Sequence, residues 1–336
     1  MVAAVLFPNT QPPFAPPAAT SFEAPPYSDN FEHRWAGLKA HNRWLADYCS
    51  RKPEARAGIG QIFLNDVDDA IADVQWCAEN GLRGGVLIGS VPPTCDWLKP
   101  LYHPDYDPLW AACEELGVVV NTHSGTGSPD YVPAPAMPMV HILEMIFYAQ
   151  RPLAYLILGG VFERFPKLQM ALTEAGCAWV PGVLTHLDSV IGMIKAKGTG
   201  EMRFEGDAAP ELSATEYFQR NCHIGMSQPL PADIRAAVGD VGLDRVMWGS
   251  DYPHEEGTHP FTREHMRQVL GHLPPADIQQ ILAGNAAELY GFDLEALRPA
   301  ADKYGPTVAE IAEPLEALPE GANETLRRAA RQLAGR

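Results

Sequence analysis

The sequence is poor in cationic residues: Lys and Arg total 25 against 42 Asp and Glu, for a formal net charge of −17 over 336 residues. That balance repels a phosphate backbone, and no basic stripe overrides it, so nucleic acid and an anionic membrane surface are excluded as partners. No apolar run approaches the roughly 18 residues of a membrane span, and no charged segment precedes an apolar core at the N-terminus. Cysteines number 6 and form no C-x-x-C pair. A disulfide framework belongs to small secreted chains, so reduced thiols in a cytoplasmic protein are expected. Also missing are a G-x-S-x-G elbow, a G-x-x-x-x-G-K-[ST] phosphate loop and an H-E-x-x-H helix. The pairs Gly84-Gly85 and Gly159-Gly160 do not complete a dinucleotide fingerprint. These absences remove serine-hydrolase, nucleotide-loop and helical zinc-protease chemistry.

What is present is core material and alternation. Hydrophobic residues make up 46% of the chain, ample for a large buried core. Short apolar runs at Ala3–Phe7, Ala57–Phe63, Gly85–Ile88, Val118–Thr122, Leu168–Thr173, Asn221–Gly225 and Arg245–Gly249 read as strands. Helical periodicity falls between them: around Trp35–Tyr48, after a cap at Asn65 or Asp66 up to Asn80-Gly81, and over Pro104–Leu116 ended by Gly117. Further helices are expected over 138–165 (interrupted near Pro152 and Gly159-Gly160), 179–197, 231–238, from Phe261, and over Ala276–Tyr290. Residues 10–30 and 198–214 read as loops. The pattern predicts a parallel sheet covered by helices, and both a doubly wound sheet and a barrel are compatible with it. A closed barrel of this type needs eight strands, and in the barrel reading the absent one is the first. Residues 1–290 would form the barrel and 291–336, with Pro306, Pro314 and Pro319, a C-terminal helical tail.

In a parallel barrel the chemistry sits at the C-terminal strand ends. Three runs end on residues that bind a metal or move a proton: VVVNT on His123, LQMALT on Glu174 and RVMWGS on Asp251. The bland readings are a satisfied histidine, a glutamate paired with a lysine and an aspartate capping a turn. Coincidence at three strand ends favours function, with Asp251 and Glu174 as catalytic carboxylates and His123 and Asp251 as metal ligands. His254, in the loop after Asp251, and Asn9, after the first apolar run, are the substrate-binding candidates; His259 shares the His254 loop. His33, His41, His103, His141, His186, His223, His265 and His272 fall on helices, in a loop or off the strand ends, and read as structural.

The segments HNRWLADYCSRKPEARAGIG, HPDYDPLWAACEELGVVVNTHSGTG, GGVFERFPKLQMALTEAGCAWVP, RVMWGSDYPHEEG and ILAGNAAELYGF, with the tail KYGPTVAEIAEPL, together resemble the amidohydrolase superfamily. The matching branch is the amidohydrolase-related one that includes aminocarboxymuconate-semialdehyde decarboxylase. The resemblance implies a TIM-type (β/α)8 barrel with a divalent metal, most often Zn, and a homodimer. It assigns ligand roles to a first-strand H-x-H or E-x-H pair, to the fifth-strand histidine, which His123 matches, and to the eighth-strand aspartate, which Asp251 matches. Glu174 stands where a sixth-strand histidine usually assists catalysis. No H-x-H or E-x-H lies upstream of His123, and Met1 falls where the second strand would run. A start codon placed too far downstream, a natural truncation and a partner chain filling the gap would each account for this. The expected activity is metal-dependent hydrolysis or non-oxidative decarboxylation of a small organic acid or cyclic substrate; the rival is an inactive barrel retained as a binding or scaffold protein.

Overall fold

A computed structural model describes residues 2–8, 25, 28–129, 131–198 and 209–335. The expected substrate contact Asn9 lies outside the described residues, as do most of the two predicted loops. The chain divides into two compact units, one of Val5–Leu172 with Leu184–Cys222 and one of Met1–Ala4, Thr173–Val183 and His223–Arg336.

In the first unit, β1 (Ala4–Leu6) and β2 (Arg56–Gly58) form a two-stranded sheet, and the Ile59 N–H donates to Leu6 O at 3.0 Å. The larger sheet follows in chain order: β3 (Gly60–Gln61), β4 (Val86–Leu87), β5 (Val120–His123) and β6 (Met170–Thr173). The first three are parallel, with Gly60 opposite Val86 and Val86 opposite Val120. The run predicted as one strand over 57–63 is therefore two strands in different sheets. The switch falls at fully buried Ile59, between Gly58 and Gly60, where the missing side chains let the backbone bend without a clash. Val86, Val120, Met170 and Ala171 are fully buried, as strands covered on both faces require.

Buried asparagine side chains close the ends of several elements of this unit. The Asn42 amide and the Gln61 backbone exchange two hydrogen bonds, at 2.8 and 2.9 Å. Asn121 Nδ2 lies 2.8 Å from Gly84 O and 3.2 Å from Val119 O, and Asn221 Nδ2 donates to Pro166 O and Leu168 O at 3.0 and 2.7 Å. Each amide donates to buried backbone carbonyls at the ends of the short strands, where a buried polar group without a partner would be costly.

The helix signals mostly hold. Asp66 caps Val67–Glu79 by accepting from the Asp68 and Asp69 N–H groups, and Gly117, at φ 64°, ends Asp107–Leu116. The helix Met137–Leu158 runs through Pro152 instead of breaking there; the buried face of Ala149, Pro152, Leu153, Leu156 and Ile157 outweighs the one hydrogen bond the proline removes. A helix at Ala214–Asn221 begins inside the stretch read as loop. Its start was encoded by a capping box, Ser213 with Glu216.

The second unit starts at the last residue of β6. Beyond it the Glu174 N–H donates to Gly225 O at 3.0 Å, so Glu174 is hydrogen-bonded to β7 (Cys222–Ser227). β7 is parallel to β8 (Val246–Gly249), with Ile224 opposite Val246 and Ser227 opposite Gly249. Asn285 repeats the asparagine device here, its Nδ2 donating to Leu243 O at 2.7 Å and Val246 O at 2.5 Å. The helix Glu324–Leu333 packs on Thr262–Leu270 and Pro231–Ala236. Among the described residues no helix is long and apolar enough to cross a membrane, and all 6 cysteines are buried and free of disulfides.

Candidate metal centre

Strands β6, β7 and β8 hand over to Glu174, Gln228 and Asp251, and each of these residues has left-handed backbone: φ 63°, 43° and 61°. That conformation costs an L residue free energy and persists where the surroundings enforce it. Here the enforcement is visible in part. Glu174 N–H is committed to Gly225 O, and the Gln228 N–H to Gly249 O at 2.9 Å, so each residue stays tied to the next strand while its backbone turns away. Three consecutive strand ends thus present polar side chains by the same local device.

The segment after Asp251 folds back on itself. His254 N–H donates to Asp251 O at 2.9 Å, Gly257 N–H to His254 O at 3.0 Å and Thr258 N–H to Ser250 O at 2.9 Å. A Cβ on Gly257 would meet Asp251 O, His254 O and Ser250 O, all at 2.9 Å, so this turn closes only on glycine. Thr258 is fully buried beneath it and donates its hydroxyl to the Ser250 carbonyl at 3.2 Å.

This turn brings His254 to Asp251 and Glu174. One ligand atom from each of the three lies within 4.8 Å of the others. His254 Nδ1 is 3.4 Å from Asp251 Oδ1, and Gln228 Nε2 donates to Asp251 Oδ2 at 3.2 Å. The Asp251 side chain is only 8% exposed while His254 is 45% exposed, so the group is a half-open cup with the aspartate at its floor. Ligand atoms around an ion at about 2.0–2.2 Å are separated by at most roughly 4.4 Å. Atoms that lie within 4.8 Å of one another are close to the spread that one divalent cation spans. Two carboxylates and an imidazole form a mixed oxygen and nitrogen donor set.

Of the residues singled out by sequence, the structure brings together Glu174, Asp251 and His254; His254 stands among the candidate ligand atoms, where the sequence suggested substrate contact. His123 belongs to the other compact unit. Its Nδ1 lies 2.9 Å from Ser124 O, its ring centroid is 5.2 Å from that of Phe7, and its own carbonyl accepts from the Thr126 hydroxyl at 3.0 Å. A carbonyl can only accept, so Nδ1 carries the proton, which leaves Nε2 as the ring nitrogen that the family match would assign to a metal. Gln228 went unnoticed in the sequence. The strand-end rule would have found it had β7 been carried past Gly225 to Ser227.

A family model, Amidohydrolase, matches residues 8–292. The gamma-resorcylate decarboxylase of Rhizobium radiobacter is 25% identical over 232 residues, covering 65% of this chain and 66% of that protein. The 2-amino-3-carboxymuconate-6-semialdehyde decarboxylase of Dictyostelium discoideum is 24% identical over 270 residues, covering 75% and 66%. The chain thus spans 66% of the length of these curated relatives. Among solved structures, a 5-carboxyvanillate decarboxylase from Novosphingobium aromaticivorans, with bound manganese and 3-methoxy-4-hydroxy-5-nitrobenzoic acid, superposes with a TM-score of 0.64 at 22% identity, over 79% of this chain and 73% of that one. The fold is therefore of the α/β barrel class, with its described larger-sheet strands parallel where their register is defined, and the chain belongs to the amidohydrolase family.

Proposed function

We propose that this chain is a divalent-metal-dependent, non-oxidative decarboxylase of a small aromatic acid. The observation that carries the reading is the convergence of Glu174, Asp251 and His254 at the strand ends. The named activities of the similar proteins support the reaction class, and the manganese of the 5-carboxyvanillate enzyme puts Mn²⁺ beside Zn²⁺ as the ion. Glu174, His254 and one oxygen of Asp251 would hold it. When bound, such an ion supplies positive charge that orients and polarises the oxygens of the acid.

The residues of the chain do the rest. Decarboxylation replaces the ring-carbon bond to CO₂⁻ with a bond to hydrogen: a proton adds to the carbon bearing the carboxylate, the carbon–carbon bond then breaks with its electron pair returning to the ring, and CO₂ leaves. The proton donor must be held without wandering. Asp251 meets that need, with Oδ2 anchored by Gln228 and Oδ1 facing His254. Glu174, fixed by its backbone bond to Gly225, stands as ligand or auxiliary base. His123, with its Nδ1 proton directed at the Ser124 carbonyl, is a separate ligand assignment from the family match and is tested separately.

The test is CO₂ release from 2,6-dihydroxybenzoate, 5-carboxyvanillate and related hydroxybenzoates by the purified chain loaded with Mn²⁺ or Zn²⁺. Turnover by the wild type and a fall of roughly 10²–10⁴-fold in Asp251→Asn are expected, the range for loss of a positioned proton carrier. Glu174→Gln, His254→Ala and His123→Ala should lower metal content. Equal metal content and equal turnover in wild type and variants would overturn the reading.

A further inference from the structure

The segment that reaches the Asp251 turn from the far end of the chain is Asn323–Thr325. Asn323 Nδ2 donates to Gly257 O at 3.0 Å and to His259 O at 3.3 Å, while its Oδ1 accepts from the Leu326 N–H at 3.0 Å and caps the helix Glu324–Leu333. One side chain thus starts the helix with its oxygen and grips the turn with its nitrogen. Thr325, 7% exposed, donates its hydroxyl to Glu256 O, and the same hydroxyl lies 3.4 Å from Gln228 Oε1. A hydroxyl has one proton, so it serves one of these carbonyls at a time. Gln228 in turn is oriented by Asp251: its Nε2 must face the carboxylate, because the reversed amide would set two oxygens against each other. The helix is held in place by its packing on Thr262–Leu270 and Pro231–Ala236.

From this arrangement we infer that Asn323, Thr325 and Gln228 are positioning residues: the C-terminal segment is a clasp that holds the turn carrying Asp251 and His254 in its ligand-bearing shape. The inference rests on the metal-centre reading above, and it adds that the site depends on residues far along the chain that touch no substrate. The need for a clasp is physical. Asp251 sits in a left-handed conformation at φ 61°, and its turn is held from within mainly by the three backbone bonds around Gly257. Amides at Asn323 and Gln228 and a hydroxyl at Thr325 supply the outside contacts that keep this shape. Groups that orient ligands from behind in this way typically change metal affinity by roughly 10–100-fold when lost.

Asn323→Asp separates the two jobs of that side chain. It keeps the cap, since one carboxylate oxygen can still accept from Leu326, but it turns the other arm into an acceptor facing the Gly257 and His259 carbonyls. Thr325→Val removes the hydroxyl at nearly constant shape, and Thr325→Ser restores it. Two measurements on the full chain decide the matter. Amide exchange of His254, Gly257 and Thr258 reads the turn without any metal, and Asn323→Asp and Thr325→Val should speed it roughly tenfold, the loss of one or two hydrogen bonds. Calorimetric titration with Mn²⁺ reads the ligands, and the same two variants should bind at least tenfold more weakly while Thr325→Ser binds as the wild type does. Unchanged exchange in both variants overturns the clasp, and so does faster exchange with unchanged Mn²⁺ affinity, which would make the segment a structural support only. A wild type that binds no Mn²⁺ while exchange responds as expected would instead refute the metal-centre reading, and ligand positioning with it.

Discussion

Replacing Glu174 with glycine should leave a more stable protein than replacing it with alanine. At an ordinary position the order is the reverse: glycine gains more freedom on unfolding and costs about 0.5–1 kcal/mol relative to alanine. Glu174, however, sits at φ 63°, where a Cβ costs about 1–2 kcal/mol and glycine is unstrained. Subtracting the middle of the first range from the middle of the second leaves glycine ahead by about 0.7 kcal/mol, within a span of about 0–1.5 kcal/mol. Both variants lose the carboxylate and its interactions, so their difference isolates the backbone. The same comparison applies at Asp251, φ 61°, and at Gln228, φ 43°. Urea unfolding of the matched pairs measures it, with Arg43→Gly and Arg43→Ala as the control on the exposed face of the helix Phe31–Ser50, where alanine should win by about 1 kcal/mol. The argument fails if alanine equals or exceeds glycine at Glu174 and Asp251. The chemical counterpart is that both Glu174 variants should bind Mn²⁺ more weakly than the wild type, so stability and metal affinity move in opposite directions within the glycine and wild-type pair wherever strain dominates.

Two further outcomes follow from buried groups. His223 is 6% exposed on β7, and burial, followed by the charge of Arg245, lowers its pKa from 6.5 to about 4. A histidine depressed in the folded state contributes stability that is fully present above its unfolded pKa and lost as pH falls from about 6.5 toward 4; at 1.36 kcal/mol per unit the loss is about 3 kcal/mol. Urea unfolding of the wild type and a non-titrating His223→Asn variant over this range should give curves that converge toward acid, and parallel curves would exclude the assignment. Asn121→Ala should destabilise the first unit by about 2–3 kcal/mol, because Nδ2 lies within hydrogen-bonding distance of Gly84 O, Val86 O and Val119 O and alanine returns none of these contacts. Thermal unfolding checks it, and a change below the error of the method would show that water or backbone adjustment satisfies those carbonyls.

The parts of this molecule that were legible in its sequence are those written in one dimension. Runs such as VVVNT and LQMALT are mostly apolar because parallel strands are buried on both faces, so their ends, and hence His123, Glu174 and Asp251, could be located to the residue. Gly225 reads as a strand terminator, yet it is an interior residue of β7. Its missing Cβ avoids Thr173 Oγ1, which would lie 2.8 Å away, and the strand continues to Ser227. That misreading hid Gln228. The contacts of Asn323 and Thr325 lie 64–69 residues from their partners on the Asp251 turn, and a polar side chain at a helix start signals only its cap. Left-handed backbone at Glu174 and Gln228 carries no sequence mark, since neither residue type favours it, and only at Asp251 does the residue type lean that way. Yet this is the feature that Glu174, Gln228 and Asp251 share. A strand that ended in ordinary extended geometry would send its next side chain along the sheet's alternation, whereas the turn at Glu174, Gln228 and Asp251 releases the side chain from that alternation while the preceding ladder stays intact. Apolar patterning therefore says where chemistry can be mounted, and the local strain, held in place at Asp251 by distant polar contacts, is what aims it.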